Sequence, residues 1–296
     1  MKSYIFPGQG SQYIGMGLDL YESSTMVRDI MDRANEVLGW QLTGIMFGGT
    51  QEELTQTRNT QPAIFLHSYV RYMLLNNPEP NMVAGHSLGE YSALAIAGAI
   101  NFDDALTLVK IRAESMQIAG ESEPGTMAAI IGLDDNLVGD ICCKVWEEIG
   151  IVQSANFNSP GQVVISGSPN AVLEAMKRCK ENGARMVKQL NVSGAFHSPL
   201  MASAREKLTL ALSNVHINNA EIPVYTNVSA KPITDAQEIH DSLILQLTSP
   251  VRWSETINNM IIDGADEFIE VGPGNVLQGL VKRINSIVTV SGFDKF

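Results

Sequence analysis

The stretch MVAGHSLGEYSALAIAGAI, residues 82–100, sets one serine, Ser87, between two glycines in the pattern G-x-S-x-G. Apolar residues before it predict a short buried strand, and the run rich in Ala and Leu after it predicts a helix. A serine at such a corner can be a nucleophile, because the tight turn presents its hydroxyl above the end of the sheet, beside a helix N-terminus. The same pattern also fits a plain strand–helix turn in which the serine caps the helix.

The acidic balance of the chain argues against nucleic acid as a partner. The 296 residues carry a formal net charge of −12, whereas phosphate binding needs a basic surface. Cys142, Cys143 and Cys179 have no metal-ligand spacing and form no even set, so we expect free thiols and no metal site. Because no apolar run is long enough for a signal peptide or a membrane span, we expect a cytoplasmic protein without a membrane segment.

The order of predicted elements favours an α/β fold. Short strands at residues 3–6 and 81–85 alternate with helices, which is typical of a parallel sheet covered on both faces. The helices that follow or separate these strands are expected over 24–38, 61–75 and 103–119.

From about residue 125 the predicted order of elements changes to strand, helix, two strands, helix and strand. This βαββαβ order is that of a ferredoxin-like unit. We therefore expect a discontinuous, α/β-hydrolase-like catalytic domain over 1–124 and 194–296, built on the parallel sheet. The inserted ferredoxin-like subdomain is expected over 125–193.

A serine hydroxyl is a weak nucleophile until a base removes its proton. His197 is the best-placed candidate base, because it lies in the turn-rich stretch VSGAFHSPLM, where the two parts of the chain would meet. His86 adjoins Ser87, but neighbouring side chains at a sharp turn point apart. The remaining histidines lie in a helical pattern or in polar stretches: His67, His216 and His240.

Acyl chemistry at a serine also needs N–H donors for the oxyanion of the tetrahedral intermediate. The amide of Leu88, directly after the serine, is one candidate. The loop FPGQGSQ, residues 6–12, follows another strand, and its glycines free the backbone around Gln9 to supply a second. A dinucleotide-binding loop is the competing interpretation, and its third glycine would fall where Tyr13 stands.

Arg112 is the most informative residue outside the G-x-S-x-G stretch. In its predicted helix it shares an apolar face with residues that include Val109 and Met116. A buried charge without a partner is very costly, so the guanidinium needs an anion. It either extends to a surface carboxylate or clamps a substrate carboxylate with two hydrogen bonds.

Further motifs extend the pattern along almost the whole chain. In order, they are FPGQGSQ, TQPA at 60–63, GHSLGEYSAL, GTMAAIIGL, NFNSPGQVVISG, GAFHSPLM, TSPVRW and EVGPGNVLQGL. Through these motifs, from residue 4 to about 284, the chain resembles the malonyl-CoA:acyl carrier protein transacylase family of bacterial fatty-acid synthesis.

The resemblance implies a ping-pong transfer through an acyl-enzyme. Ser87 would take malonyl from coenzyme A as an ester, with His197 as base and then as acid. The phosphopantetheine thiol of the carrier protein would then collect the malonyl group. The amides of Gln9 and Leu88 would form the oxyanion hole, and Arg112 would bind the malonyl carboxylate.

The resemblance also implies the surroundings of this centre. The family orients its histidine through a backbone carbonyl, and Gln246 in LQLTSPVRW falls at that place. Phe196 resembles the residue that leaves malonyl-selective members little room for an α-methyl branch, and Met116 is expected to line the substrate site. No cofactor or metal is implied, because coenzyme A and the phosphopantetheine are substrates.

The implied partner is an acyl carrier protein, which is itself strongly acidic. We therefore expect a local basic rim near the cleft, with Lys188, Lys282 and Arg283 as candidates, although scattered solvated lysines are an alternative. The chain is expected to be a monomer. An acyl hydrolase, a polyketide-pathway acyltransferase and a non-catalytic docking module remain open, and the intact set of site residues argues against the last.

Overall fold

The larger sheet is built from six short strands. The computed structural model describes residues 1–75 and 78–294. The strands are β1 (Lys2–Phe6), β2 (Met82–Gly85), β7 (Val224–Tyr225), β8 (Pro232–Ile233), β9 (Glu267–Val271) and β10 (Thr289–Phe293). Their order is β10-β9-β1-β2-β7-β8, and every pair is parallel except β7 with β8. Phe6 pairs with Gly85, so the loops that follow β1 and β2 leave the sheet side by side.

Helices cover this sheet, and several begin at side-chain caps. They are α1 (Leu18–Ser23), α2 (Thr25–Leu38), α3 (Leu42–Gly48), α4 (Gln51–Thr55), α5 (Thr57–Met73), α6 (Gly89–Ile96), α7 (Phe102–Ser122), α10 (Ala202–Leu212), α11 (Ala236–Gln246), α12 (Trp253–Ile262) and α13 (Val276–Ile284). At α7 the Asn101 side chain accepts a hydrogen bond from Asp104 N. The helix expected from residue 61 begins earlier, at Thr57. The prediction missed its first turn because that turn is polar and carries no apolar periodicity.

The second sheet comes from the middle of the chain. Its elements are β3 (Thr126–Ile131), α8 (Asp135–Glu148), β4 (Val152–Ser159), β5 (Gln162–Gly167), α9 (Pro169–Glu181) and β6 (Met186–Gln189). The strands are antiparallel in the order β4-β5-β3-β6. The expected α/β class, with a parallel sheet and a separate second sheet, is confirmed.

Backbone hydrogen bonds join the second sheet to the rest of the chain beside α12. Val251 N donates to Ala155 O over 2.8 Å, and Phe157 N donates to Val251 O over 2.9 Å. The second sheet has its own apolar core, whereas Met127 and Val164 pack into the main core. Among the described residues, no helix has both the length and the apolar composition needed to cross a membrane.

Candidate active site

Ser87 lies on a strained turn between β2 and α6. Its φ is 51°, in the left-handed region that non-glycine residues rarely adopt. A Cβ on Gly85 would lie 1.8 Å from the carbonyl carbon of Gly89, and a Cβ on Gly89 would lie 2.0 Å from Phe6 O. Glycine at both positions is therefore required sterically, and the G-x-S-x-G spacing follows from the packing of the turn.

Asn227, after β7, holds this turn from the neighbouring position in the sheet. Its Oδ1 accepts a hydrogen bond of 2.6 Å from Ser87 N, and its Nδ2 donates to Gly85 O, also over 2.6 Å. Sequence reasoning missed Asn227. Its signal is a polar residue two positions after the buried strand β7, which becomes informative only once β7 is known to lie beside β2.

His197 brings its ring to the serine hydroxyl. Its Nε2 lies 2.8 Å from Ser87 Oγ, and its own φ is 56°. Its Nδ1 lies 3.0 Å from Gln246 O and 3.1 Å from Ser249 O. Carbonyl oxygens only accept, so Nδ1 carries the proton and the neutral ring presents a bare Nε2 to the serine.

Burial, followed by the nearby Arg112 cation, lowers the pKa of His197 to about 3. The ring is therefore neutral over the whole range near neutral pH and can accept a proton from Ser87. The orienting groups are two backbone carbonyls, as expected for the position of Gln246, and Ser249 is the member that the sequence did not reveal.

The segment that carries His197 is pressed against other backbone. A Cβ on Gly120 of α7 would lie 2.0 Å from Ser193 O, and a Cβ on Gly125 would lie 2.5 Å from Ala195 Cβ. Gln153 Nε2 donates to His197 O over 2.7 Å. These contacts determine where the ring of His197 lies.

Arg112 is completely buried beside the serine and does not reach the surface. Its Nη2 donates to Ser87 Oγ over 3.0 Å and to Gln246 Oε1 over 3.1 Å, and its Nη1 donates to Gln61 Oε1 over 2.6 Å. Burial lowers the pKa of Arg112 below its ordinary value. A cation whose hydrogen bonds all go to neutral acceptors is suited to receive an incoming carboxylate.

These groups open into a cavity of about 250 Å³. Gln9, Leu88, Met116 and Phe196 all line it, together with Ser87, His197 and Arg112. Gly8 holds the loop after β1 against the serine turn, because a Cβ there would lie 2.5 Å from His86 O. Among the described residues, no acceptor pairs with the backbone N–H of Gln9 or of Leu88, so both are available to a ligand.

The other histidines do not contact Ser87. The His86 ring turns away, lies 2.8 Å from Asn158 Oδ1 through Nε2, and packs against Trp253. His67 is buried within α5, whereas His216 is exposed and His240 lies near the surface beside Asp241. In the described part of the chain, no group of three or more His, Cys, Asp or Glu side chains is arranged to hold a metal ion.

The three basic candidates for a docking rim are all exposed. Arg283 Nη1 donates to Gln162 Oε1 over 2.7 Å, and Gln162 lines the cavity. Lys282 Nζ donates to Val288 O over 2.6 Å. Lys188 lies on β6, two residues before Leu190, which also lines the cavity.

Comparisons with known proteins identify the family of the chain. The family model described as acyl transferase domain matches residues 3–288. A malonyl CoA-acyl carrier protein transacylase of Bacillus subtilis (strain 168) is 47% identical over 285 residues, which is 96% of this chain and 90% of that protein.

Solved structures give the same result. An acyl carrier protein S-malonyltransferase from Vibrio cholerae superposes with a TM-score of 0.95 at 42% identity, over 100% of this chain and 97% of its own. A malonyl-transacylase in complex with a type II polyketide synthase acyl carrier protein has a TM-score of 0.96 at 39% identity, over 100% and 96% of the two chains. This chain therefore belongs to the acyl transferase domain family, in which its relatives are malonyl CoA-acyl carrier protein transacylases.

Proposed function

We propose that this chain transfers a malonyl group from malonyl-CoA to the phosphopantetheine thiol of an acyl carrier protein, for fatty-acid synthesis. The observation that carries the proposal is the buried guanidinium of Arg112, whose Nη2 lies 3.0 Å from Ser87 Oγ. A cation at that distance from a nucleophile suits an acyl group that ends in its own carboxylate.

In the first half-reaction, Ser87 Oγ attacks the thioester carbonyl of malonyl-CoA while His197 Nε2 accepts the hydroxyl proton. The C–S bond then breaks, and the proton passes from His197 to the departing sulfur. Coenzyme A leaves as a thiol, and malonyl remains as an ester of Ser87.

The second half-reaction is the reverse, with the thiol of the carrier protein as nucleophile. His197 takes the thiol proton, the sulfur attacks the malonyl ester, and the proton returns to Ser87 Oγ. Both carriers are substrates, so the proposed reaction uses no metal and no bound cofactor.

Backbone amides would stabilise the negative charge that develops on the carbonyl oxygen. The free N–H groups of Gln9 and Leu88, on neighbouring loops beside Ser87, support this assignment. Removing one donor of such a pair typically costs about 100-fold to 1000-fold in kcat.

The substrate carboxylate would also strengthen the base. The Arg112 cation contributes to the low pKa of His197, and pairing of that cation with malonyl reduces its effect. His197 then becomes more basic as the substrate binds. Met116 and Phe196 form an apolar wall beside the acyl group and limit the size of the acyl group that fits.

We also propose the finer organisation of the fold. The strand order β4-β5-β3-β6, within strand–helix–strand–strand–helix–strand connectivity, supports a ferredoxin-like subdomain over 125–193. The parallel sheet and the serine turn support an α/β-hydrolase-like catalytic domain over 1–124 and 194–296.

The carrier protein is proposed to approach the cavity mouth past Lys188, Lys282 and Arg283. We propose that the protein works as a monomer in the cytoplasm. Cys142, Cys143 and Cys179 are free, which suits a reducing compartment.

Incubation with malonyl-CoA labelled in the malonyl group tests the function. We expect label on Ser87 of the wild type, none on Ser87→Ala, and transfer of the label to holo carrier protein when it is added. Release as free malonate at the rate of acylation would instead identify a hydrolase, and absence of any labelled protein would identify a binding module.

A further inference from the structure

A carboxylate that takes no part in the proposed chemistry is buried next to the nucleophile turn. Glu90 is the second residue of α6, and its side chain has no exposure to solvent. Its Oε2 accepts a hydrogen bond of 2.7 Å from Asn227 N. Its Oε1 is buried and accepts no hydrogen bond of normal geometry from the described residues. Burial of a carboxylate is costly unless a charge or further hydrogen bonds compensate it.

Two amide side chains link Glu90 to the reacting groups. Asn227, whose backbone binds Glu90, also holds Ser87 N and Gly85 O through its side chain. The Gln246 side chain interacts with Glu90, its Nε2 donates to Ser87 O over 3.1 Å, and its Oε1 accepts from Arg112. A single intervening residue therefore connects Glu90 to the nucleophile and to the guanidinium.

Arg112 is the cation that Gln246 connects to Glu90. Its own hydrogen bonds go to neutral acceptors, and the two side chains interact electrostatically, since each favours the charged form of the other. When Glu90 is ionised, the pair is neutral overall before any substrate is bound.

Other groups around Glu90 contribute little charge. Tyr91, on the same helix, is held neutral because burial raises its pKa above its ordinary value. The segment after β7 and the end of α11 present the uncharged amides of Asn227 and Gln246 to Glu90. His197 is a further titratable group of the site, and it too is neutral near pH 7.

We propose that Glu90 is the counterion of Arg112 in the free enzyme and that it takes up a proton when a malonyl carboxylate binds Arg112. The inference rests on the proposed function, because it requires a substrate carboxylate at that guanidinium. With malonyl bound, one cation and two carboxylates would leave a net negative charge in a buried site. Protonation of Glu90 restores neutrality, and the solvent supplies the proton.

In the free enzyme, the pKa of Glu90 is already close to neutral pH, which favours this uptake. Burial raises the pKa of Glu90 to about 7, against the opposing effects of Asn227, Gln246 and the Arg112 cation. A second carboxylate at Arg112 raises it further. By linkage, malonyl binding then weakens as the pH rises above about 7, by up to tenfold per pH unit for one proton.

Proton uptake during acylation tests this directly. Acylation itself is neutral, because the serine proton leaves on the thiol of coenzyme A, and a thiol with an ordinary pKa like that of cysteine, about 8.5, stays mostly protonated at pH 7. Malonyl-CoA is mixed with a stoichiometric amount of enzyme in weakly buffered solution at pH 7, with a pH indicator and in parallel with a measurement of acyl-enzyme. We expect a measurable fraction of a proton to be taken up per acyl-enzyme formed, since a group with a pKa near 7 is only partly protonated there before the substrate binds.

Two glutamate variants separate Glu90 from other buried acids. Glu90→Gln keeps the acceptor for Asn227 N, and we expect it to lose the uptake and the rise of KM for malonyl-CoA between pH 7 and 8.5. Glu270→Gln removes another fully buried carboxylate, one that accepts from Leu277 N and Gln278 N. We expect it to keep the uptake.

The outcomes are distinguishable. No malonyl-enzyme at all would overturn the proposed function. If malonyl-enzyme forms without proton uptake, only the role of Glu90 is overturned. The same holds if Glu90→Gln takes up as many protons as the wild type, and His197 is then the group that takes up the proton. If Glu90→Gln fails to fold, infrared difference spectra of the wild type decide instead, because acylation should produce the carbonyl band of a newly protonated buried carboxyl group.

Discussion

At the scale of single residues, the site depends on charges that are buried without surface contact. Arg112 has no exposure to solvent and donates to Gln61, Ser87 and Gln246. Ser87 and His197 both have positive φ angles, which cost free energy that the surrounding packing must offset. Strain and buried charge therefore coincide at the three side chains to which we assign the chemistry.

Replacing Arg112 by Ala should lower kcat/KM for malonyl-CoA by roughly 100-fold to 4000-fold. Loss of one partner of a buried charge pair costs about 3–5 kcal/mol, and each tenfold corresponds to about 1.4 kcal/mol. Steady-state transfer to carrier protein measures the change, with acetyl-CoA as the control substrate because it has no carboxylate to lose. Equal losses for both acyl groups would contradict the assignment of Arg112 to the carboxylate.

The reactivity of Ser87 should not fall near pH 6.5, where an ordinary histidine base would become protonated. Burial and the Arg112 cation lower the pKa of His197 to about 3, so the base stays neutral as the pH falls through 6.5. The rate at which a neutral fluorophosphonate reacts with Ser87 should stay nearly constant from pH 7.5 to 5. In Arg112→Ala one cause of the low pKa is removed, so the decline should begin at a higher pH than in the wild type. A wild-type decline centred near pH 6.5 would show that His197 is not held neutral in this way.

At the scale of elements, the site is assembled where secondary structures approach closely. β1 and β2 end side by side, which places the loop of Gln9 against the turn of Ser87. The segment before His197 crosses α7 at Gly120, where backbone meets backbone. The position of the base thus depends on a helix that contributes Arg112 from a different turn.

Gly120→Ala should destabilise the protein and impair catalysis, because its Cβ would lie 2.0 Å from Ser193 O. Overpacking of this kind costs about 1–3 kcal/mol, and the displaced segment carries His197. Urea unfolding and single-turnover acylation measure the two effects.

Gly139→Ala is the matched control for that substitution. Gly139 is also within a helix, α8, and its Cβ would meet nothing within 4 Å. Alanine there should stabilise the protein by about 0.5–1 kcal/mol and leave acylation unaltered. Similar losses of stability and acylation rate in both variants would refute the close approach at Gly120 as the cause.

At the scale of the whole molecule, the protein carries a net charge of −12 but is proposed to bind an acidic partner. Long-range repulsion must then be overcome by local positive charge at the docking surface. Arg283 is the best placed of the three candidates, since its guanidinium contacts Gln162 at the cavity.

Reversing the charge of Lys188, Lys282 and Arg283 together should raise KM for carrier protein at least several-fold at low salt, with a smaller effect at high salt. The rate of acylation by malonyl-CoA should change less. Lys177, Lys207 and Lys231, also exposed and absent from the cavity lining, provide a triple variant with a closely matched charge change. An equal rise of KM in both triple variants would attribute the effect to net charge rather than to a docking rim.

Residue patterns alone predict the α/β class, the turn at Ser87, the βαββαβ order of the second sheet and the candidates His197 and Arg112. These features are readable because strand and helix periodicity, glycine between close backbones and a lone arginine on an apolar face are local patterns. The contacts of Asn227, Ser249 and Glu90 are visible only in the folded chain. Along the sequence, Asn227 lies 140 residues from Ser87 and 137 from Glu90, and Ser249 lies 52 from His197. Hydrogen bonds across such separations depend on which strands become neighbours and on how closely segments pack, and no local pattern records either.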